Sequence, residues 1–570
     1  MIPPSQALWI LVVLAVVWLA LFFRLGTLPL LQPDEGRNAE VAREMKESGA
    51  WLSPSYNGIA YLDKPAFYFK AVALSLAAFG DNETAARLPS ALFGLALLAI
   101  TYAFCRRVQG PRCAVMAIII IASMPLFIVF SRTVIFDMTL AFFVSAAIFA
   151  GHLAEAGAGA SRRGWYLAGA GAAGCATLVK GPVGFLIPGL VLFMFHFIEG
   201  RRGVWKRFFA PANLFVFFGV TLPWFIGLSL QHRDFPYYGL VEESFHRFTT
   251  TTFHRSQPFY FYALIVLALF LPWSFMLPEA AIAAWKNKRL LSSADRLCVV
   301  WAVVVVVFFS LSKSKLPGYI LTATLPCGML TARVFERALA RPDGRAARIV
   351  LRAAVTLAVL CLAVAIAALL LPLHMPALAK PLGLPVEIAG ELGRHFWVAA
   401  VLLSTFAVLG CLSRFRRDAG FCFAVFAAFP LLLFTLNLGA IETVFNYKSA
   451  RQLAQHMPAL PPGTGLVFWE CFPNGLPFYL GRTAVLFTKD GSEITSSSNY
   501  ILYQIKNSPQ WPTNLVPVGQ FAPWLAARKK PVYLLARADE KFQLQAIAGV
   551  PTNNLRQLTP QYAGVLLPAP

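Results

Sequence analysis

The sequence predicts a polytopic α-helical membrane protein, with about 13 transmembrane helices and a small C-terminal α/β domain. Three observations carry this. The 570 residues are 58% hydrophobic and only 13% charged, with a mean hydropathy of +0.63, whereas soluble domains carry about 25% charged residues. Apolar segments of membrane length, about 17–25 residues, recur between short charged or Pro/Gly-rich breaks. From residue 440 the chain turns polar, is Pro-rich at 457–462, and holds strand-like runs.

In chain order, the first span is 7–23, ALWILVVLAVVWLALFF. It lacks a basic n-region and a small-residue cleavage site, so it reads as a retained anchor. Spans then follow at 85–105, 113–130, 138–156, 165–179, 183–199, 209–230, 259–283, 297–312, 318–336, 349–371, 395–413 and 419–438. The apolar but short segment 64–79 reads as an interfacial helix, with Tyr61, Phe67, Tyr68 and Phe69 at headgroup level. Domain limits are 1–439 for the membrane part, with long loops at 24–84 and 231–258, and 440–570 for the terminal domain. In that domain Leu466-Val467-Phe468-Trp469 and Val532-Tyr533-Leu534-Leu535 read as strands.

The net charge is +22. Basic clusters at Arg106-Arg107, Arg162-Arg163, Arg201-Arg202 with Lys206-Arg207, Lys286 with Lys288-Arg289, and Arg414 with Arg416-Arg417 fall on loops of one parity. Those loops are expected to be cytoplasmic. An odd number of spans then puts the Asp34 loop, the 231–258 loop and the C-terminal part on the external face. Nucleic acid is not an expected partner, because no basic stretch with interleaved aromatics stands on a polar domain. The nine cysteines are scattered without a CxxC, which excludes a disulfide framework and a thiolate zinc site. Gly169-Ala170-Gly171-Ala172-Ala173-Gly174 matches the dinucleotide fingerprint formally, but it follows no strand and lies within a span, where small residues serve helix packing. There is no Walker A motif, so a nucleotide-driven pump is not expected.

Chemistry concentrates on the external side. Asp34-Glu35 follows Pro33 just past the first span, and ionisable groups at a membrane boundary are costly and usually functional. The plainer explanation is that Asp34 caps the helical stretch Gly36–Glu47; a carboxylate fixed there is also placed to accept a proton or steady a developing positive charge. Asp137 sits at the external mouth of a hairpin, with a cap or an ion pair to Arg132 as its plainer role. Two carboxylates in different environments are a frequent signature of glycosyl chemistry. Arg37, Lys64, Lys180, Arg247, Arg255, Lys313 and Lys315 also lie on this face, where orientation signals would avoid them; a phosphate in the headgroup plane is their natural partner. Snorkelling explains Lys180 equally well, and a local pair with Asp63 explains Lys64. Arg247 and Arg255 suit phosphate because guanidinium matches its geometry. His246 and His254, with Glu242 and Glu243 nearby, form a candidate divalent-metal site whose spacing fits no regular ligand pattern.

Together, Pro33-Asp34-Glu35-Gly36-Arg37, Tyr61 with Asp63-Lys64-Pro65, Asp137, Lys180-Gly181-Pro182 and Lys315-Leu316-Pro317-Gly318-Tyr319 resemble the polytopic GT-C glycosyltransferases, which use polyprenyl-phosphate sugars. Within them the chain is most similar to the bacterial lipid A aminoarabinose transferases, along its whole length. The resemblance implies transfer of 4-amino-4-deoxy-L-arabinose from undecaprenyl phosphate to a lipid A phosphate, at the periplasmic face of the inner membrane, with inversion at the sugar carbon. It implies Asp34 and Asp137 as the catalytic carboxylates. Lys64, Arg37, Tyr61, Arg247, Arg255, Lys180, Lys315 and Tyr319 are implied as the donor-phosphate set. No cofactor is required, a divalent metal stays open, and a monomer suffices. Two other readings remain: a polyprenyl-phosphate-mannose-type transferase acting on protein or glycan, and a transporter or flippase for lipid-linked sugars. Against the latter stand the missing inverted repeat and charges gathered on one face rather than at the midplane.

Overall fold

A computed structural model describes residues 4–201, 203–246, 249, 256–278, 281–282, 291–379, 385–495, 498–508, 510–540 and 555–569. The chain divides into two compact units. The first comprises Met1–Leu25, Ser90–Pro223 and Ser244–Thr443; the second comprises Gly26–Pro89, Trp224–Glu243 and Val444–Pro570.

The first unit is helical. Among the described residues of the whole chain, seven helices are long and apolar enough to cross a membrane: Glu83–Val108, Asp137–Ala156, Pro211–Gln231, Ser293–Leu311, Arg345–Pro372, Ile388–Arg416 and Ala419–Leu436. Large apolar side chains on them stay uncovered, Phe215 at 79% and Val401 at 67% exposure. Such faces are normal where hydrocarbon is the solvent. Three other expected spans are broken or begin irregularly, each at a proline. The expected span 113–130 is the pair Pro111–Ser123 and Pro125–Ser131, bent by 69°, an eighth crossing if taken as one. Met124 is held extended because it precedes Pro125. In 259–283 the helix Phe261–Leu269 stops before Pro272 and a 3₁₀ turn at Trp273–Met276; 318–336 begins as a 3₁₀ turn after Leu316 and continues as Thr324–Ala340. The interior is aromatic: Trp273 is buried, donates to Ser123 Oγ at 3.1 Å, and is ringed by Phe335, Phe423 and Phe426. The glycine run at 169–174 packs helices as its small residues suggest, since a Cβ at Gly174 would lie 3.1 Å from Val220.

The second unit combines the helices Asp34–Ser48 and Phe67–Phe79 with two sheets. Strands β1 (Ser55–Tyr56) and β2 (Ile59–Ala60) form a hairpin whose turn residues Asn57 and Gly58 both have positive φ, the geometry an Asn-Gly turn supplies. Six further strands, β3 (Gly465–Trp469), β4 (Val485–Thr488), β5 (Leu515–Pro517), β6 (Val532–Arg537), β7 (Arg556–Gln557) and β8 (Tyr562–Leu567), lie in the order β5-β4-β3-β6-β8-β7. The β5, β4, β3 and β6 neighbours are parallel, and β8 runs antiparallel between β6 and β7. The two strand-like runs are β3 and β6, paired Gly465 to Val532. One face packs Val467, Trp469, Phe487, Leu534 and Val565 against Phe521 and Trp524 of the short helix Phe521–Ala527. The expected headgroup aromatics are a correction: Tyr61, Tyr68 and Phe69 are buried, Tyr61 edge-on to both Tyr56 and Phe69. The aromatic start of this segment serves a protein core, while Leu74 and Phe79 further along it stay exposed.

Candidate functional site

In the second unit, the helix Asp34–Ser48 is mostly charged yet buried from Glu35 to Met45. Burial of charge needs partners, and the two adjacent carboxylates at its start, Asp34 and Glu35, have different ones. Glu35 meets Arg87 in a two-pronged pair at 2.9 and 2.8 Å, while Arg87 also donates to the carbonyls of Leu28 at 2.6 Å and Pro29 at 2.9 Å. Asp34 is 44% exposed at its side chain and accepts from Arg37 at 2.7 Å. No side-chain cap closes this helix start, so Asp34 is not the N-cap; its carboxylate is held by the guanidinium one turn on. Arg37 lies 5.9 Å from the Tyr61 ring centre. Burial works against the Arg37 charge, but Tyr61 and Asp34 outweigh it and raise its pKa. Burial likewise raises Tyr61, against the pull of Arg37. Gly36 is needed for close approach, because a Cβ there would lie 2.7 Å from the Gly475 backbone.

Glu44 holds the β1–β2 hairpin: its carboxylate accepts from the Asn57 and Gly58 amides at 2.5 and 3.0 Å and from Ser55 Oγ at 2.6 Å. The Asn57 side chain in turn brackets Ala484, donating to its carbonyl at 2.9 Å and accepting from its amide at 2.8 Å. This fixes the segment that carries Tyr61, Asp63 and Lys64. Lys64 Nζ pairs with Glu243 and donates to the Asp63 carbonyl at 2.7 Å. Asp63 accepts from Tyr238 Oη at 2.5 Å and from the amides of Asn499 at 3.0 Å and Tyr500 at 2.8 Å. Burial and the nearby Glu243 still raise the Asp63 pKa, against Lys64 and those donors.

In the first unit, the helix Gly159–Lys180 stops at Gly181, whose φ is +67°, and Pro182 leads into Val183–Ile198. That stop places Lys180 beside the start of Asp137–Ala156. Its Nζ lies 2.6 Å from Asp137 Oδ1, 4.5 Å from the Tyr319 ring centre and 5.0 Å from that of Phe136. Arg132 is turned to the carbonyls of Ala20 and Phe23, so Lys180 takes the role expected of Arg132. Gly318 is again a close-approach glycine: a Cβ would press on the Phe130 ring at 2.5 Å and lie 3.2 Å from the Asp137 carboxyl carbon. Lys315 staples its own loop, donating to the Ser312 and Gln257 carbonyls at 2.6 and 3.0 Å. Burial and Lys313 lower its pKa. Tyr262 Oη donates to the Leu316 carbonyl at 3.2 Å and supports the same turn.

Asp34, Arg37 and Tyr61 therefore share one cluster, and Asp137, Lys180 and Tyr319 share another, while Lys64 is bound to Glu243. Arg247, Arg255 and His254, with Arg202 and the basic stretch 283–290, lie outside the described residues. Among the described residues, no group of three or more His, Cys, Asp and Glu is placed to hold a metal ion. Sequence reasoning passed over Arg87, Glu44, Tyr238 and Asn57. Arg87 carried a signal, a charge within an expected span, and Asn57-Gly58 carried the hairpin signal; Glu44 carried none.

Residues 63–226 match the family described as dolichyl-phosphate-mannose-protein mannosyltransferase. The crystal structure of ArnT from Cupriavidus metallidurans bound to undecaprenyl phosphate superposes with a TM-score of 0.81 at 27% identity, over 99% of this chain and 98% of that one. The chain is ArnT-like. It has the fold of that neighbour, a mostly helical GT-C membrane architecture. Two curated relatives bear the name undecaprenyl phosphate-α-4-amino-4-deoxy-L-arabinose arabinosyl transferase. The one from Pseudomonas fluorescens is 31% identical over 320 residues, 56% of this chain and 54% of its own length. The one from Edwardsiella ictaluri is 28% identical over 509 residues, 88% of each. The chain thus spans about half the length of the first relative and most of the second.

Proposed function

We propose that this chain is a GT-C glycosyltransferase that moves 4-amino-4-deoxy-L-arabinose from undecaprenyl phosphate to a lipid A phosphate at the periplasmic face of the inner membrane. The observation that carries the reading is the near-complete superposition on an undecaprenyl-phosphate-bound ArnT. In that reading the short and broken helices complete a thirteen-span topology, with the basic loops cytoplasmic and residues 440–570 external.

The charge balance of the reaction explains the residue types. The donor is a phosphodiester and leaves as a phosphomonoester, taking the electron pair of the sugar C1–O bond. The acceptor is a phosphomonoester whose oxygen forms the new bond at C1 and becomes a diester. One dianion is consumed and one is made, so no proton has to move and no strong general base is needed. The chemistry then rests on positioning and on stabilising charge. Lys180 above Tyr319, and Arg37 with Tyr61, have the cation-on-aromatic character that suits a phosphate beside an apolar chain. Lys64, Lys315, Arg247 and Arg255 complete the proposed donor-phosphate set. Asp34 and Asp137 are the carboxylates for the sugar amine and the positive charge that develops at C1. A monomer without nucleotide suffices, and metal dependence is tested by chelation.

The test is to incubate purified protein with lipid A and the polyprenyl-phosphate aminoarabinose donor and weigh the lipid A. The expected result is a gain of one aminopentose, absent in Asp34→Asn. No gain from folded protein overturns the substrate assignment. A mannosyl reading is favoured by the match over 63–226, and labelled mannose moving from polyprenyl phosphate to protein would select it.

A further inference from the structure

On the six-stranded sheet of the second unit, among the described residues, the cover supplied by the helix Phe521–Ala527 ends before the sheet does. A cavity of about 290 Å³ opens there over the first residues of β3, β4 and β6. Val485, Val532 and Trp524 line it together with the consecutive cations Arg528, Lys529 and Lys530. No acidic residue lines it among the described residues. Arg528 is anchored by donation to the carbonyls of Leu525 and Pro568, at 2.5 and 2.9 Å. Its Nε is buried with no acceptor among the described residues, and the side chains of Lys529 and Lys530 are exposed.

We propose that this cavity is a binding site for an acyl-chain lipid bearing a phosphomonoester. An apolar slot with three cations matches an amphiphile, with chain methylenes on valine and tryptophan and the head on the cations. The volume sits at the lower end of small-molecule sites, roughly 300–1,000 Å³, enough for part of one chain. The charge selects the head: a phosphomonoester carries about −1.5 to −2 near neutral pH, which three clustered cations match better than the single charge of a phosphodiester. The Arg528 guanidinium, held by its two backbone acceptors, supplies a fixed positive charge, and the two exposed lysines supply the mobile donors. This site stands on the cavity alone and does not depend on the transferase reading.

The experiment uses the full chain in phosphatidylcholine nanodiscs, titrated with dodecyl phosphate brominated along its chain. Quenching assigned to Trp524 is read as the difference between the protein and Trp524→Phe. Saturable quenching is expected, weakened about tenfold in Lys529→Ala/Lys530→Ala and abolished by Val485→Trp, which fills the slot and keeps the cations. These variants leave Arg528 and its structural bonds in place. Absence of saturable Trp524-dependent quenching overturns the proposal. So does equal competition by a short-chain phosphatidylglycerol, or competition by polyprenyl phosphate with none by the acyl phosphate.

Discussion

Asp34 and Glu35 are neighbours in sequence with the same functional group, and the structure gives them opposite consequences. Glu35 and Arg87 are each 2% exposed at the side chain and joined by two hydrogen bonds. Glu35 also accepts from the Leu31 amide at 3.0 Å. Glu35→Ala strands the Arg87 guanidinium in the interior, and breaking a buried pair from one side costs about 3–5 kcal/mol. For a cooperative unit of about 150–250 residues, each kcal/mol moves Tm by about 2–4 °C, so the expected fall is roughly 6–20 °C. Asp34 is 44% exposed, so solvent screens its pair with Arg37, and Asp34→Asn keeps an oxygen for that donor. Its cost is about 0–1 kcal/mol. The assay is thermal unfolding of both variants in one detergent, followed by aminopentose transfer on each. Asp34→Asn should melt like the parent and lose transfer, while Glu35→Ala should melt early. Equal melting of the two variants, or an Asp34→Asn variant that transfers normally, refutes the division of labour.

Three further outcomes follow from the pairs. Lys180→Met leaves Asp137, 9% exposed at its side chain, without its 2.6 Å partner; stability should drop by about 3–5 kcal/mol, and adding Asp137→Asn should recover part of it in a thermal double-mutant cycle. Glu44→Ala removes the acceptor of three donors in the β1–β2 hairpin, so limited proteolysis should cut within residues 53–62 faster, with a loss of at least about 1.5–3 kcal/mol. Burial pushes the Glu40 carboxyl up to about 8, against the pull of Arg43 and with Glu44 adding to the rise. A pKa raised on folding stabilises below the unfolded value, about 4.3, and is lost as pH rises through 8. The parent should therefore lose Tm relative to Glu40→Gln, whose amide does not titrate, as pH rises across that window, and a parent that gains on the variant with rising pH would contradict it.

Hydropathy made the helices legible because lipid imposes a length on each apolar run, and the alternation of basic loops carried the expected orientation. It could not tell a straight span from a broken one: Pro125, Pro272 and Pro317 each sit where an expected span bends or begins as a 3₁₀ turn. The strands β3 and β6 were legible as bounded β-branched and aromatic runs. The sites were legible as residue types and not as partners. Nothing local in the sequence tells Lys180 to meet Asp137 and Tyr319, because that meeting is made by two helix termini and a turn that come together only in the fold. Helical geometry turns each successive residue by about 100°, which is why Asp34 faces outward while Glu35 faces Arg87.

The partners change what the cations can do. Lys180 and Lys64 are not bare positive charges awaiting phosphate; each is compensated by a carboxylate, Asp137 or Glu243. A phosphate arriving at either lysine exchanges one anion for another, so its binding energy is a difference between two charge-assisted bonds rather than the full worth of one. That difference favours the more highly charged anion. Before transfer the donor phosphodiester carries one negative charge, and afterwards the released monoester carries up to two. In the proposed transfer, lysines that hold the donor phosphate would gain more from the leaving group as it departs than from the bound donor, which is the condition for accelerating the bond-breaking step instead of only tightening substrate. In the proposed transfer Asp137, displaced from Lys180 by that phosphate, would be a carboxylate available to offset positive charge developing on the sugar. On this account Asp137→Asn should lower kcat more than it raises KM, whereas a purely structural aspartate would change the amount of folded protein and leave both constants of the surviving fraction unchanged.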